Sequence, residues 1–309
     1  RGYSAGRLGG FRQTRKRHGR RRIQLCENVF PPYEIQHAST KHPVAACMVS
    51  WSGHILPVIV TVAIWFLATG MIAWLDNRQR ATFPRSLILS GVVGLAGLVA
   101  ILFAMQYAEV WAVYLAFLGA LMVWSWQEIA FLTGAATGPR RQEISPNIRG
   151  WQRFAEASAT VIHHEIALVL SALMLITLTW TAPNQIGAMT FVLLYVLRLS
   201  AKLNIFAGVP NSATDILPAH LSYLKSYYGP KRLRPELMLS IAAIGVFAFW
   251  TGSRAMDAAA GSAEAVGASL LFALAALGAI EHLFLALPFR DGALWGWALP
   301  KRITLEEES

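Results

Sequence analysis

Seven runs of about twenty apolar residues dominate this chain and leave few folds open to it. A hydrocarbon core roughly 30 Å thick takes about 20 residues of helix to cross. Inside it every backbone N–H and C=O must be bonded within the protein, so a crossing segment is a helix or part of a closed barrel. The runs cover residues 55–75, 86–106, 111–132, 157–180, 186–207, 237–251 and 266–287; the sixth is short and the fifth carries Arg198 and Lys202. No repeat at a fixed period divides them. The expected fold is all-α, a polytopic membrane protein built as one bundle of about seven transmembrane helices over residues 48–302. Composition agrees, because 55% hydrophobic residues and a mean hydropathy of +0.45 are too apolar for a soluble chain of 309 residues.

The net charge of +10 would suggest a nucleic-acid partner if it were spread along the chain, but residues 1–47 hold ten Lys and Arg against two Glu. That segment shows no helical period and no signal-peptide core, and it reads as disordered or as lying outside the native protein, the first methionine being Met48. If native, it would be a basic arm for anionic lipid; no nucleic-acid partner is expected. Residues 303–309 form an acidic tail. Cys26 and Cys47 both lie in the basic segment, so the apolar body has no thiol for a disulfide, zinc site or nucleophile.

Loop charge sets the expected orientation, since Lys and Arg accumulate on the cytoplasmic side of short loops. Arg78, Arg80 and Arg85 follow the first run, Arg140, Arg141, Arg149 and Arg153 the third, and Lys225, Lys231, Arg232 and Arg234 the fifth, while Arg290, Lys301 and Arg302 follow the last. The loops after the second and fourth runs have none, and the sixth is followed only by Arg254. The body is expected with its N-terminus periplasmic and its C-terminus cytoplasmic in the inner membrane. Most of the eleven tryptophans fall near run ends, as an aromatic belt requires. Residues 217–228 put Leu221, Leu224 and Tyr228 on one α-helical face and are expected to lie along the membrane surface or against a partner.

An ionisable group inside a span is costly and therefore a candidate functional residue. Here these are Glu128, then His163, His164 and Glu165 in the string H-H-E, then Arg198 and Lys202, then Glu281 and His282. Glu128, His164, Arg198 and Glu281 each fall within about two and a half helical turns of an expected cytoplasmic end, which places four helices' charges in one layer. Successive helical residues are about 100° apart, so the H-H-E string cannot point into one site. His164 shares a face with Thr160 and Ser171 and is the interior candidate. His282 aligns with Gly278 and Ala275, a small-residue seam that lets another helix approach.

Three chemistries suit this layer. A metal ion could be held by Glu128, His164, Glu281 and His282, a set fitting iron, manganese or zinc, although the paired Glu-x-x-His motifs of di-iron bundles are absent. A tetrapyrrole could take one neutral imidazole as axial ligand, flanked by Trp124, Trp126 and Phe131. A structural ion-pair network would set Glu128, Glu165 and Glu281 against Arg198, Lys202 and a histidine.

Longer strings carry a resemblance. W-S-W-Q-E-I-A-F-L-T-G, H-H-E-I-A-L, A-P-N-Q-I-G, R-L-S-A-K-L-N-I-F-A-G-V, L-P-A-H-L-S-Y-L-K-S-Y-Y and E-H-L-F-L-A-L-P occur in the order found in the PuhE family of photosynthetic complex assembly proteins, from about Met48 to about Arg302. The chain resembles that family. The resemblance implies an intracytoplasmic-membrane protein of anoxygenic phototrophic bacteria, associated with reaction-centre H-subunit genes and needed for build-up of photosynthetic complexes. Matched polar positions are Glu128, His164, Glu165, Arg198, Lys202, Asn204, His220, Glu281 and His282. The family pattern reads His-Glu at Gln127–Glu128 and Tyr-His-Glu at His163–Glu165, which favours His164 over His163. The implied role is a non-enzymatic assembly factor binding reaction-centre or light-harvesting subunits, or bacteriochlorophyll, through His164, His282, Glu128, Glu281, Arg198 and Lys202. The alternative is a membrane metalloenzyme acting on a tetrapyrrole or quinone. A transporter is the weakest reading, with no Gly- or Pro-broken helix pair to support it.

Overall fold

The structure, a computed structural model, describes residues 49–212, 217–287 and 295–296. The basic segment and the acidic tail lie outside the described residues. The body is all-helical, and seven of its helices are long and apolar enough to cross a membrane. They are α1 (Leu56–Asp76), α2 (Phe83–Ala104), α3 (Val110–Leu132), α4 (Gly150–Thr179), α5 (Ile186–Ala207), α6 (Pro235–Asp257) and α7 (Ala263–Ala286).

Local chemistry sets several ends. Proline occupies the first turn of α1, α2 and α6, where its missing N–H leaves no intrahelical bond unmade. Gly208, at φ 124°, turns the chain off the end of α5. A π-helical turn over Trp51–Ile55 precedes α1, capped by Ser50, whose Oγ accepts from Gly53 N at 3.1 Å. His54 and Ser269 then stitch this turn inward: His54 Nε2 meets Ala255 O at 2.9 Å, and Ser269 Oγ donates to Gly53 O at 2.8 Å.

The interior is built from α3, α5 and α7. Half of the most apolar stretch of α3 and 61% of that of α7 is buried, against 17% for α1 and 22% for α4 and α6. Hydrocarbon supplies no hydrophobic drive between helices, so close approach through small residues and van der Waals contact must hold them. A Cβ on Gly97 of α2 would meet Gly119 O of α3 at 2.6 Å, and one on Gly278 of α7 would strike Leu197 of α5 at 2.6 Å. The Gly278–Ala275 seam thus receives α5. Leu270, Val266 and Ala275 of α7, all fully buried, pack with Phe117 and Val113 of α3 and with Leu193 and Leu197 of α5.

Two runs differ most from their sequence boundaries. α4 begins at Gly150 and α6 extends to Asp257, each longer than its apolar run because its polar ends stay helical. Residues 217–228 also differ. The segment Ala219–Tyr227 is a 3₁₀-helix, and its buried side chains Leu221, Leu224 and Tyr227 repeat every three residues. It packs on the bundle itself, against Phe131, Leu132 and Val161. The 3.6-residue period selects Tyr228 for that face; the 3₁₀ period selects Tyr227 and frees Tyr228.

Candidate functional site

The charged groups come from α3, α5 and α7 of the interior and from the less buried α4. Glu128 sits one turn before the end of α3, where Oε2 lies 3.6 Å from the guanidinium of Arg198 on α5 and Oε1 lies 3.7 Å from His164 Nε2 on α4. His164 is fully buried, with its ring tilted against Phe131 at a centroid distance of 4.7 Å. Among the described residues neither of its ring nitrogens has a hydrogen-bond partner. One residue on, Glu165 Oε1 accepts from Lys202 Nζ at 2.6 Å, and that ammonium also lies 5.3 Å from the Phe131 ring centroid. His163, about 100° round the helix, is exposed. Ser171 turns to Gln127, whose Nε2 donates to its Oγ at 3.0 Å.

α7 divides its two neighbours in the same way. Glu281 Oε1 accepts from Trp65 Nε1 of α1 at 2.9 Å. His282 is fully buried with both ring nitrogens engaged, Nε2 with Ser200 Oγ at 3.0 Å and Nδ1 with Gly278 O at 2.8 Å. Asn204 continues this line, donating to Ser200 O and to Ser240 Oγ of α6, each at 2.9 Å. His282 therefore joins α5 to α7 in a polar seam and stands apart from Glu128 and His164.

Between α1, α3, α4, α5 and α7 lies a cavity of about 530 Å³. Glu128, Glu165, Arg198, Lys202 and Glu281 line it, with Tyr228 at the loop end. Its wall is otherwise mainly apolar and aromatic, including Trp65, Trp124, Phe131 and Trp295. Trp65 and Trp124 thus face inward instead of joining a belt; Trp295 is buried, edge-on to Trp65 at 5.2 Å, and donates to Phe66 O at 2.9 Å. Trp126 packs against Gly94 of α2 and does not flank His164 as expected for a tetrapyrrole site.

These positions decide what the layer can hold. Neither His164 nor His282 lines the cavity, and His282 has no nitrogen to spare. A tetrapyrrole seated in this cavity would take no axial bond from either ring. Among the described residues no group of three or more His, Cys, Asp and Glu side chains is placed to hold a metal ion. Glu128, His164, Glu281 and His282 are therefore not brought together as one ligand set. What does converge is an ion-pair network of Arg198, Glu128, Lys202 and Glu165, opened on one side to an apolar cavity.

One buried carboxyl escaped the sequence reading. Asp76 ends α1 and is 4% exposed, and its Oδ1 has no hydrogen-bond partner among the described residues. It follows directly after the apolar run, where an acid reads as the start of a loop. Outside the bundle, Arg140 draws the loops together. Its side chain donates to Tyr227 Oη at 2.7 Å and pairs with Glu156 at 2.9 Å, and these two partners hold its proton affinity above the ordinary arginine value. Gly138 lets this loop lie on α4: its N–H reaches Thr160 O at 2.7 Å, and a Cβ there would sit 1.9 Å from Ala159 O.

With this geometry established, likeness to known proteins can be weighed. The chain is 36% identical over 252 residues, 79% of its length and 90% of the relative's, to a Rhodobacter capsulatus protein described as an uncharacterized 30.4 kDa protein in the puhA 5′ region. No solved structure matches it. A family model described as a protein of unknown function, DUF3623, matches residues 51–306, and the chain belongs to that family.

Proposed function

We propose that this protein is a non-enzymatic assembly factor for bacterial photosynthetic complexes, binding a reaction-centre or light-harvesting intermediate, or its bacteriochlorophyll, within the bilayer. The observation that carries the reading is the 36% identity to a protein named for its place beside puhA, a likeness covering most of both chains. The cavity is consistent with it, being apolar, of ligand size and open to charged groups from α3, α4, α5 and α7. The membrane is the inner, intracytoplasmic one, with the N-terminus of the body periplasmic and the C-terminus cytoplasmic. That orientation puts the charged layer near the cytoplasmic headgroups, where newly inserted helices and pigment arrive.

Deletion of the gene in a phototrophic host, followed by absorption spectroscopy of its membranes, tests the role. Reduced reaction-centre or antenna bands with free pigment still synthesised is the expected result. Unchanged bands would overturn the proposal, and loss of all pigment would move the protein into pigment synthesis.

A further inference from the structure

We infer that the cavity takes an uncharged amphiphile whose head carries carbonyl oxygens, gripped by hydrogen bonds from Arg198 and not by a bond between a histidine and a metal. The inference rests on the ligand-binding role proposed above and specifies its chemistry.

Arg198 is the key group. Its side chain is 42% exposed, and it lines the cavity. A guanidinium has five N–H donors in a fixed fork. Among the described residues it has an ion-pair partner, Glu128 at 3.6 Å, and no hydrogen-bond acceptor. Unmade hydrogen bonds at membrane depth are costly, so an acceptor brought by a ligand has unusual value there. Lys202, by contrast, is already closed onto Glu165 at 2.6 Å.

The charge of the wall selects the head. Glu128 and Glu165 face Arg198 and Lys202, two carboxylates paired with two cations. A carboxylate or phosphate head would enter a wall with no net positive charge to receive it. A neutral carbonyl accepts from the guanidinium without adding charge. The rest of the ligand must be apolar and elongated, because α1 lines the cavity from Thr61 through Trp65, Ala68 and Ile72 to Ala73, about 18 Å of helix. Since His164 and His282 are withdrawn from that surface, recognition does not require a metal in the ligand. Tetrapyrrole esters and long-tailed quinones share this chemistry.

Purified full-length protein in detergent micelles distinguishes them. The probes are bacteriopheophytin, the magnesium-free pigment ester, read as absorbance retained through gel filtration, and decyl-ubiquinone, read as saturable tryptophan quenching. At least one should bind, and the arm that does identifies the source. Arg198→Leu should weaken that binding at least about tenfold, the scale of a hydrogen bond to a charged group. Ala68→Leu, which fills the cavity while leaving the charged layer intact, should weaken it as well if Arg198→Leu fails to fold. Palmitate should not compete. The inference is overturned if neither probe binds, if palmitate displaces them through Arg198, or if only magnesium-containing bacteriochlorophyll binds and His164→Ala abolishes it. The deletion phenotype is independent of all three outcomes, so the assembly role can stand when this chemistry fails.

Discussion

An ammonium and a carboxylate 2.6 Å apart, Lys202 and Glu165, illustrate how single residues carry charge within the bilayer. Removing one partner of such a partly buried pair leaves the other uncompensated, which costs a few kcal/mol, whereas replacing both with apolar groups costs far less. Glu165→Gln is expected to lower unfolding free energy in detergent by about 3 kcal/mol, with the Glu165→Met, Lys202→Met double variant losing less than the sum of the singles. Denaturant titration of the three variants checks this. His220 offers a pH test outside the spans. Burial lowers its proton affinity, its bond to Leu132 O at 2.7 Å partly offsets that, and nearby Arg80 adds to the lowering. Its folded value lies below the unfolded one, so its contribution is complete above about pH 6.5 and is lost as pH falls through that point. The thermal midpoint should drop on acidification in wild type, and His220→Gln should flatten the slope. The identity of the charged residues was legible in the sequence, because ionisable groups in apolar runs stand out. Their partners were not, since Ser200 beside His282 and Trp65 beside Glu281 are ordinary residues in their own runs.

At the scale of elements, hydrophobic runs located all seven helices, and their largest errors fall where polar sequence continues a helix, as in α4 and α6. Apolarity marks the stretch that contacts lipid; the backbone can stay helical past it, as α6 does through Gly252 to Asp257. The 3₁₀ segment was misread for a different reason: Leu221 and Leu224 satisfy both periods, and only Tyr227 against Tyr228 separates them. Helix crossings follow glycine. Gly97→Leu should force α2 from α3 and cost roughly 2 kcal/mol of overpacking, read as a lower thermal midpoint, while Leu95→Ala on the exposed face of α2 should change it little. Gly138→Val should detach the loop from Ala159 and Thr160 of α4 and expose it to proteolysis, which limited digestion of membranes would register.

For the whole molecule, orientation and site are one question, because the side of the membrane on which the basic loops lie fixes the depth of the charged layer. With Cys26 and Cys47 replaced by serine, the described body is free of cysteine and can be probed one position at a time. Gln142→Cys should be labelled by an impermeant maleimide only from the cytoplasmic side and Ala259→Cys only from the periplasmic side. The central claim is that Glu128, Glu165, Arg198 and Lys202 form one layer whose open face, at Arg198, is where the protein works. Complementation of a deletion strain with Arg198→Leu tests it most directly, with protein level in the membrane measured alongside photosynthetic absorbance. The account predicts absorbance no higher than in the deletion strain even when expression is raised until the variant matches wild-type abundance. Full restoration of the bands by an equally abundant Arg198→Leu protein would contradict it.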